Sequence, residues 1–185
     1  MFVRTDRLLL RPGWIEDAAA VQRAISSDPA IARNTARIPW PYTMTDAEAY
    51  LRLQQEAETH WSLLVFARTS AAPRLVGGVG IHPDEDGHEI GYWIARPYWG
   101  LGFATEAADA LLRAGRESLK LGPIHSGHFV DNPASGRVLR KLGFRPTGRM
   151  VKRHSVARGG EVDCLLYAAA AEAECEPGMR CLEAA

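Results

Sequence analysis

The chain has 185 residues, with 22 Lys+Arg against 22 Asp+Glu and a formal net charge of zero. That length supports one domain with a sizeable core, and the balanced charge offers no electrostatic footprint for nucleic acid or a membrane surface. No apolar run is long enough to span a bilayer, and residues 1–6 lack the apolar core of a signal peptide, so the cytoplasm is the expected compartment. Cys164, Cys175 and Cys181 have neither metal-ligand spacing nor the setting for a structural disulfide. Cys164 therefore reads as a small core residue of an apolar strand.

In chain order, residues 5–11 read as a strand that Pro12-Gly13 breaks. Residues 15–26 read as a helix with Ala18, Val21, Ala24 and Ile25 on its apolar side and Asp17 in the first turn, where a carboxylate suits the helix dipole. Residues 28–42 are irregular. Two prolines around an aromatic in 37–42 make either a rigid connection or a pocket wall. A helix over 46–59 follows, capped by Thr43 or Thr45, with Thr45-Asp46-Ala47-Glu48 in capping-box form. Residues 61–68 are a near-continuous apolar strand, expected to be buried on both faces. Strands over 75–82 and 88–94 are joined by a turn at 83–87. Residues 104–118 form an amphipathic helix with Ala107, Ala108, Leu111, Leu112 and Gly115 on one face. A strand over 124–130, a helix over 132–142 closed by Gly143, and a hairpin of 145–153 with 161–170 complete a single mixed α/β domain over 1–170. Residues 171–185 have little pattern and are expected to form a partly disordered tail.

The stretch that organises the chain is Tyr98-Trp99-Gly100-Leu101-Gly102-Phe103-Ala104-Thr105-Glu106-Ala107. It joins a strand to a helix through a glycine turn. Glycines let the backbone approach a ligand closely, and a first helical turn offers unpaired N–H groups and about half a positive charge, so the layout suits a phosphate. It is not a P-loop, which would need Gly-Lys-Ser/Thr. Nor is it a dinucleotide fingerprint, which needs a third glycine and a downstream acid. On the glycines alone, a tight turn that binds nothing fits as well.

More residues bear on the choice. Trp99-Gly100-Leu101-Gly102-Phe103-Ala104 resembles motif A of the GCN5-related N-acetyltransferases (GNAT), with Trp in the first place as in the RimJ/RimL-like branch. Asp131-Asn132-Pro133-Ala134-Ser135, followed by Val138-Leu139, Lys141 and Gly143-Phe144, resembles motif B of the same branch. The resemblance implies a twisted, mostly antiparallel sheet of about seven strands with about four helices, opened by an edge strand. Two central parallel strands, over 88–94 and 124–130, would splay to admit a pantetheine arm. It implies acetyl-CoA as co-substrate and no metal. The coenzyme would be held by Ile94, Trp99, Leu101, Gly102, Phe103, Ala104 and Thr105, with Asn132 and Ser135 from motif B. Arg96 either adds a positive charge there or is a solvated surface arginine.

Acetyl transfer to an amine needs a neutral amine, donors for the oxyanion, and a proton for the departing thiolate. Glu89 is the candidate base, or else a strand-end glutamate facing solvent; His88 is a fallback. Ser135 is the candidate acid, or else a first-turn serine satisfying a free N–H. The acceptor would be a protein N-terminus or a small amine, and by family habit the closing hairpin would pair two copies into a homodimer. The alternative function is a non-catalytic acyl-CoA-binding sensor, which keeps the cradle and needs neither Glu89 nor Ser135.

Overall fold

The computed structural model describes residues 1–56, 61–119 and 121–169. Eight strands build one sheet: β1 (Val3–Arg4), β2 (Leu8–Arg11), β3 (Trp61–Ala67), β4 (Arg74–Asp84), β5 (Gly87–Ile94), β6 (Ile124–Phe129), β7 (Phe144–Ser155) and β8 (Gly160–Ala169). Their order is β1-β2-β3-β4-β5-β6-β8-β7, and every neighbouring pair is antiparallel except β5 with β6. The helices are α1 (Ala18–Ser26), α2 (Pro29–Arg33), α3 (Met44–Glu56), α4 (Phe103–Ala114) and α5 (Pro133–Lys141).

The helices lie in two layers. Leu63 and Val65 of β3 join Ala107, Ala108 and Leu111 of α4 in one apolar cluster. Leu64 and Phe66 of the same strand join Val21, Ile25 and Leu51 of α1 and α3 in the other. Alternate side chains of a strand point to opposite faces, so the unbroken apolar run of β3 is the expected consequence of two covered faces. Each such leucine contributes about 1.5–3 kcal/mol by leaving water. On α4, Ala107, Ala108, Leu111 and Leu112 are all buried, as their spacing predicts.

Four boundaries differ from the sequence-based expectation. The opening strand is split: β2 covers only Leu8–Arg11, and Val3–Arg4 folds back on it to become the true edge. The segment expected to be irregular contains α2, because Asp28 caps it by accepting from the Ala30 N–H at 2.8 Å and Pro29 supplies a preset first-turn φ. The capping pair of α3 is Thr43 with Asp46 rather than Thr45 with Glu48. The Thr43 N–H donates to Asp46 at 2.7 Å and the Asp46 N–H returns to the Thr43 hydroxyl at 3.3 Å. The long helix becomes a wider π-helical turn over Gly115–Leu119. Residues 57–60, expected to end the third helix, and 170–185, including Cys175, Cys181 and the tail, lie outside the described residues.

The parallel pair positions the site. β5 and β6 are in register only at His88 with Ile124 and Glu89 with His125. Beyond that point β6 pairs only with β8, through residues His125 to Phe129. The Ser126 hydroxyl donates to the Ile90 carbonyl at 2.8 Å where the ladder ends. A wedge thus opens in the middle of the sheet, as expected for residues 88–94 and 124–130.

Candidate active site

A cavity of about 440 Å³ occupies this wedge. It is lined by Tyr92, Ser126 and Ser135 on the α4/α5 side and by Glu89, Gly91 and Arg153 on the α1/α3 side. Residues from both faces line one space, so the cavity runs through the sheet. Gly80 and Gly91 face each other across β4 and β5 and leave part of its floor without side chains. A Cβ on Gly91 would meet nothing within 4 Å.

At the α4 end, Gly100 and Gly102 have φ of +79° and +82°. A Cβ at Gly102 would touch only Arg7, at 3.5 Å, so backbone conformation rather than space demands glycine there. The helix begins with the Glu106 N–H donating to the Gly102 carbonyl at 3.1 Å. The N–H groups of Phe103, Ala104 and Thr105 precede that bond and are the unpaired donors of a first turn. A cradle that only glycine can form, with free donors at a helix N-terminus, fits a coenzyme pyrophosphate.

Arg96, the expected charge here, is taken by Asp28 at 3.0 Å and lies over the Trp99 ring. The cation beside the cradle is Arg7. Its guanidinium binds Glu106 of α4, donates to the Leu101 carbonyl at 3.0 Å and covers the Phe103 ring. Residue spacing could not reveal it, because Arg7 and Leu101 meet only through the sheet edge. Trp99 donates its indole N–H to the Ile94 carbonyl at 2.6 Å, pinning the turn to the end of β5. That donor is spent within the protein, so any contact of Trp99 or Ile94 with a coenzyme uses other atoms.

Asn132 caps α5, its side-chain oxygen accepting from the Ser135 N–H. The Ser135 hydroxyl lies 2.8 Å from the Tyr92 hydroxyl, which also donates to the Ser135 carbonyl at 3.2 Å. Burial pushes the Tyr92 phenol up to about 12, against the lowering effect of its bond with Ser135. Next to them the His128 ring donates from Nδ1 to the Phe129 carbonyl at 2.8 Å, and its Nε2 lies 2.5 Å from where a Cβ on Gly136 would stand. Gly136→Ala is therefore expected to push α5 off β6 and cost about 1–3 kcal/mol of stability in chemical denaturation, as overpacking does.

Glu89 projects to the α1/α3 side, as strand alternation predicts. It is not a solvent-facing residue: its side chain is 17% exposed and is ion-paired with Arg153 of β7. His88 points to the opposite face and packs against Trp61, away from the cavity. Cys164 also lines the cavity, and burial pushes its thiol up despite the nearby Arg153 charge. Among the described residues no group of three His, Cys, Asp or Glu could hold a metal ion.

The outer wall of the cavity is the loop at 34–42, including Arg37, Ile38, Pro39 and Tyr42. The closing hairpin braces it. The Val156 N–H donates to the Ala36 carbonyl at 2.9 Å, and Arg158 grips both Asp131 and the Arg33 carbonyl. Hydrogen bonds from Arg158 hold the Asp131 carboxyl below the usual range. A depressed carboxyl stabilises the fold above its unfolded value and loses that contribution as pH falls through its folded value. Thermal unfolding temperature is thus expected to drop below about pH 4, and Arg158→Met should flatten that part of the profile.

The cavity crosses the sheet, with Ser135 on its α4/α5 side and Glu89 on its α1/α3 side, and the glycine turn before α4 lies outside its lining. Comparison with known proteins gives the family. Residues 7–145 match the profile described as Acetyltransferase (GNAT) domain. The uncharacterized N-acetyltransferase YoaA of Bacillus subtilis (strain 168) is 30% identical over 172 residues, covering 89% of this chain and 94% of its own. An acetyltransferase (GNAT family) from Bacillus anthracis superposes with a TM-score of 0.75 at 28% identity, over 91% of this chain and 97% of that one. RimL, the ribosomal L7/L12 alpha-N-protein acetyltransferase, solved in complex with coenzyme A, superposes with a TM-score of 0.74. Its identity is 20% over 91% of this chain and 97% of its own, a likeness of fold. The chain belongs to the GNAT family and is an acetyltransferase.

Proposed function

We propose that the protein moves an acetyl group from acetyl-CoA to a primary amine, a protein N-terminus or a small amine, by direct attack on the thioester. The observation that carries this reading is the through-sheet cavity, which can bring a coenzyme arm from the α4 side into line with an acceptor from the α3 side. The N–H groups of Leu101, Gly102, Phe103, Ala104 and Thr105 would hold the pyrophosphate, beside the Arg7–Glu106 ion pair. Asn132, which keeps α5 in place, and Ser135 would meet the arm in the wedge.

Ser135 would give its proton to the departing thiolate. Tyr92 accepts or donates at the Ser135 oxygen and fixes the direction of that hydroxyl. Glu89 would take a proton from the incoming amine, with Arg153 holding the carboxylate in place. Cys164 is a poor alternative nucleophile, because a thiol raised by burial supplies little thiolate. This favours direct attack over an acetyl-enzyme. RimJ/RimL-like motif sequences favour an α-amine acceptor. No helix among the described residues is long and apolar enough to cross a membrane, and the cytoplasmic assignment rests on the sequence.

Acceptor-dependent release of coenzyme A thiol from acetyl-CoA tests the reading. Turnover with an amine supports it. Saturable acetyl-CoA binding with no thiol release across peptides and small amines would favour the sensor instead.

A further inference from the structure

We propose that the acceptor is a free α-amino acid with an aromatic or large apolar side chain, its carboxylate bound by Arg153 and its amine directed to Glu89. This rests on the acetyltransferase reading above and narrows its acceptor.

Three features carry the inference. The first is the Glu89–Arg153 pair on the cavity wall. The two side chains come from different strands, β5 and β7, and are 17% and 30% exposed. Their contact uses Nη1 of Arg153 and Oε1 of Glu89. Among the described residues, Arg153 Nε, Arg153 Nη2 and Glu89 Oε2 have no hydrogen-bond partner, none of them is fully buried, and both residues line the cavity. Two charges drawn partly out of water are fully compensated only when their remaining hydrogen-bonding positions are filled. A zwitterion carries an amine and a carboxylate on one carbon and fills both sets together. The planar guanidinium suits a carboxylate, which it can bind through two parallel N–H groups.

The second feature is the rest of the lining. Tyr42, Tyr50 and Trp93 are large aromatic groups, and Ile38 and Leu53 extend the apolar wall. Burial raises the Tyr50 phenol, and the Trp93 indole nitrogen and both Gln54 amide atoms are buried without a hydrogen-bond partner, so the wall also carries polar points. Such a surface suits a ring or a branched chain. It does not suit a polycation: besides Glu89 the lining holds Asp46, whose carboxylate is engaged by Thr43.

The third is size. The cavity of about 440 Å³ must also admit the end of the coenzyme arm, because Tyr92 and Ser135 line it. What remains suits one amino acid, at the small end of ordinary ligand pockets. An amine lacking the carboxylate would leave Nε and Nη2 of Arg153 without an acceptor.

The chemistry balances without another reactant. The ammonium gives up one proton, the neutral amine attacks the thioester carbonyl, the C–N bond forms and the C–S bond breaks. The amine sheds a second proton and the thiolate takes one up. The products are the N-acetyl amino acid, coenzyme A and one proton released to solvent. The product carboxylate stays within reach of Arg153.

The test compares thiol release with tryptophan, tryptophanamide, tryptamine and a tryptophan-initiated tripeptide, and with the phenylalanine counterparts. The expected result is a kcat/KM roughly 10- to 100-fold higher for the free amino acid than for the decarboxylated amine, the range for a hydrogen-bonded charge. Arg153→Met should shrink that ratio toward one. Should the variant fail to fold, inhibition of the wild type gives the same reading: N-acetyltryptophan should compete better than N-acetyltryptamine. Faster turnover of amines, amides or the tripeptide than of amino acids would overturn this inference and leave the acetyltransferase reading standing. Binding of acetyl-CoA with no thiol release from any of them would overturn both.

Discussion

Gly102→Pro is expected to abolish saturable acetyl-CoA binding in calorimetry while the protein stays folded. Gly102 sits at φ +82°, and proline is locked near −65°, so the turn cannot keep its shape. The change also removes one backbone donor and misdirects the N–H groups of Phe103, Ala104 and Thr105. Two lost hydrogen bonds to a charged phosphate at about 1.5–3 kcal/mol each correspond to at least about 100-fold in affinity. Gly102→Ala should show an intermediate loss. It keeps the N–H, meets only the flexible end of Arg7 at 3.5 Å, and suffers the left-handed penalty of about 1–2 kcal/mol. Undiminished binding by the proline variant would remove the coenzyme from this turn.

Ser135→Ala is expected to lower kcat by about 10²- to 10⁴-fold, the usual span for a lost general acid, with little change in KM for acetyl-CoA. Tyr92→Phe keeps the ring and loses the hydroxyl that lies 2.8 Å from Ser135 Oγ. Its kcat should fall by about tenfold, the worth of roughly one neutral hydrogen bond. The decisive variant is the double one. If Tyr92 acts by orienting Ser135, adding Tyr92→Phe to Ser135→Ala should cost nothing further, since the two belong to one unit. A full additional tenfold loss would give Tyr92 a separate role. A Ser135→Ala enzyme with unchanged kcat would reduce the serine hydroxyl to a structural contact with Tyr92.

The sequence makes the frame legible wherever local rules govern. The apolar run of β3, the face of α4 and the wedge strands at 88–94 and 124–130 all follow from periodicity or motif, and the structure has them. What escaped has a physical reason in each case. The helix α2 is a single short segment with no room for an apolar period; Asp28-Pro29 was its one signal. Arg7 reaches the cradle across the sheet edge, 94 residues before Leu101, and no spacing rule connects such positions. Arg96 sits inside the motif by sequence, but Asp28 captures it in space. The same holds for the catalytic candidates. Alternation put Glu89 on the right face, but Arg153 lies 64 positions away. The partner of Ser135 is Tyr92, 43 positions earlier on β5, and no spacing rule joins the two.

The measurement that tests the account most directly is a rapid-quench single turnover with isotopically labelled acetyl-CoA and a competent amine, read by mass spectrometry of both enzyme and acceptor. Direct attack predicts that label passes to the amine in step with thiol release and that no acetylated protein appears at any time. Labelled Cys164, or thiol release running ahead of acetylated amine, would contradict it and make the reaction a two-step transfer through the enzyme.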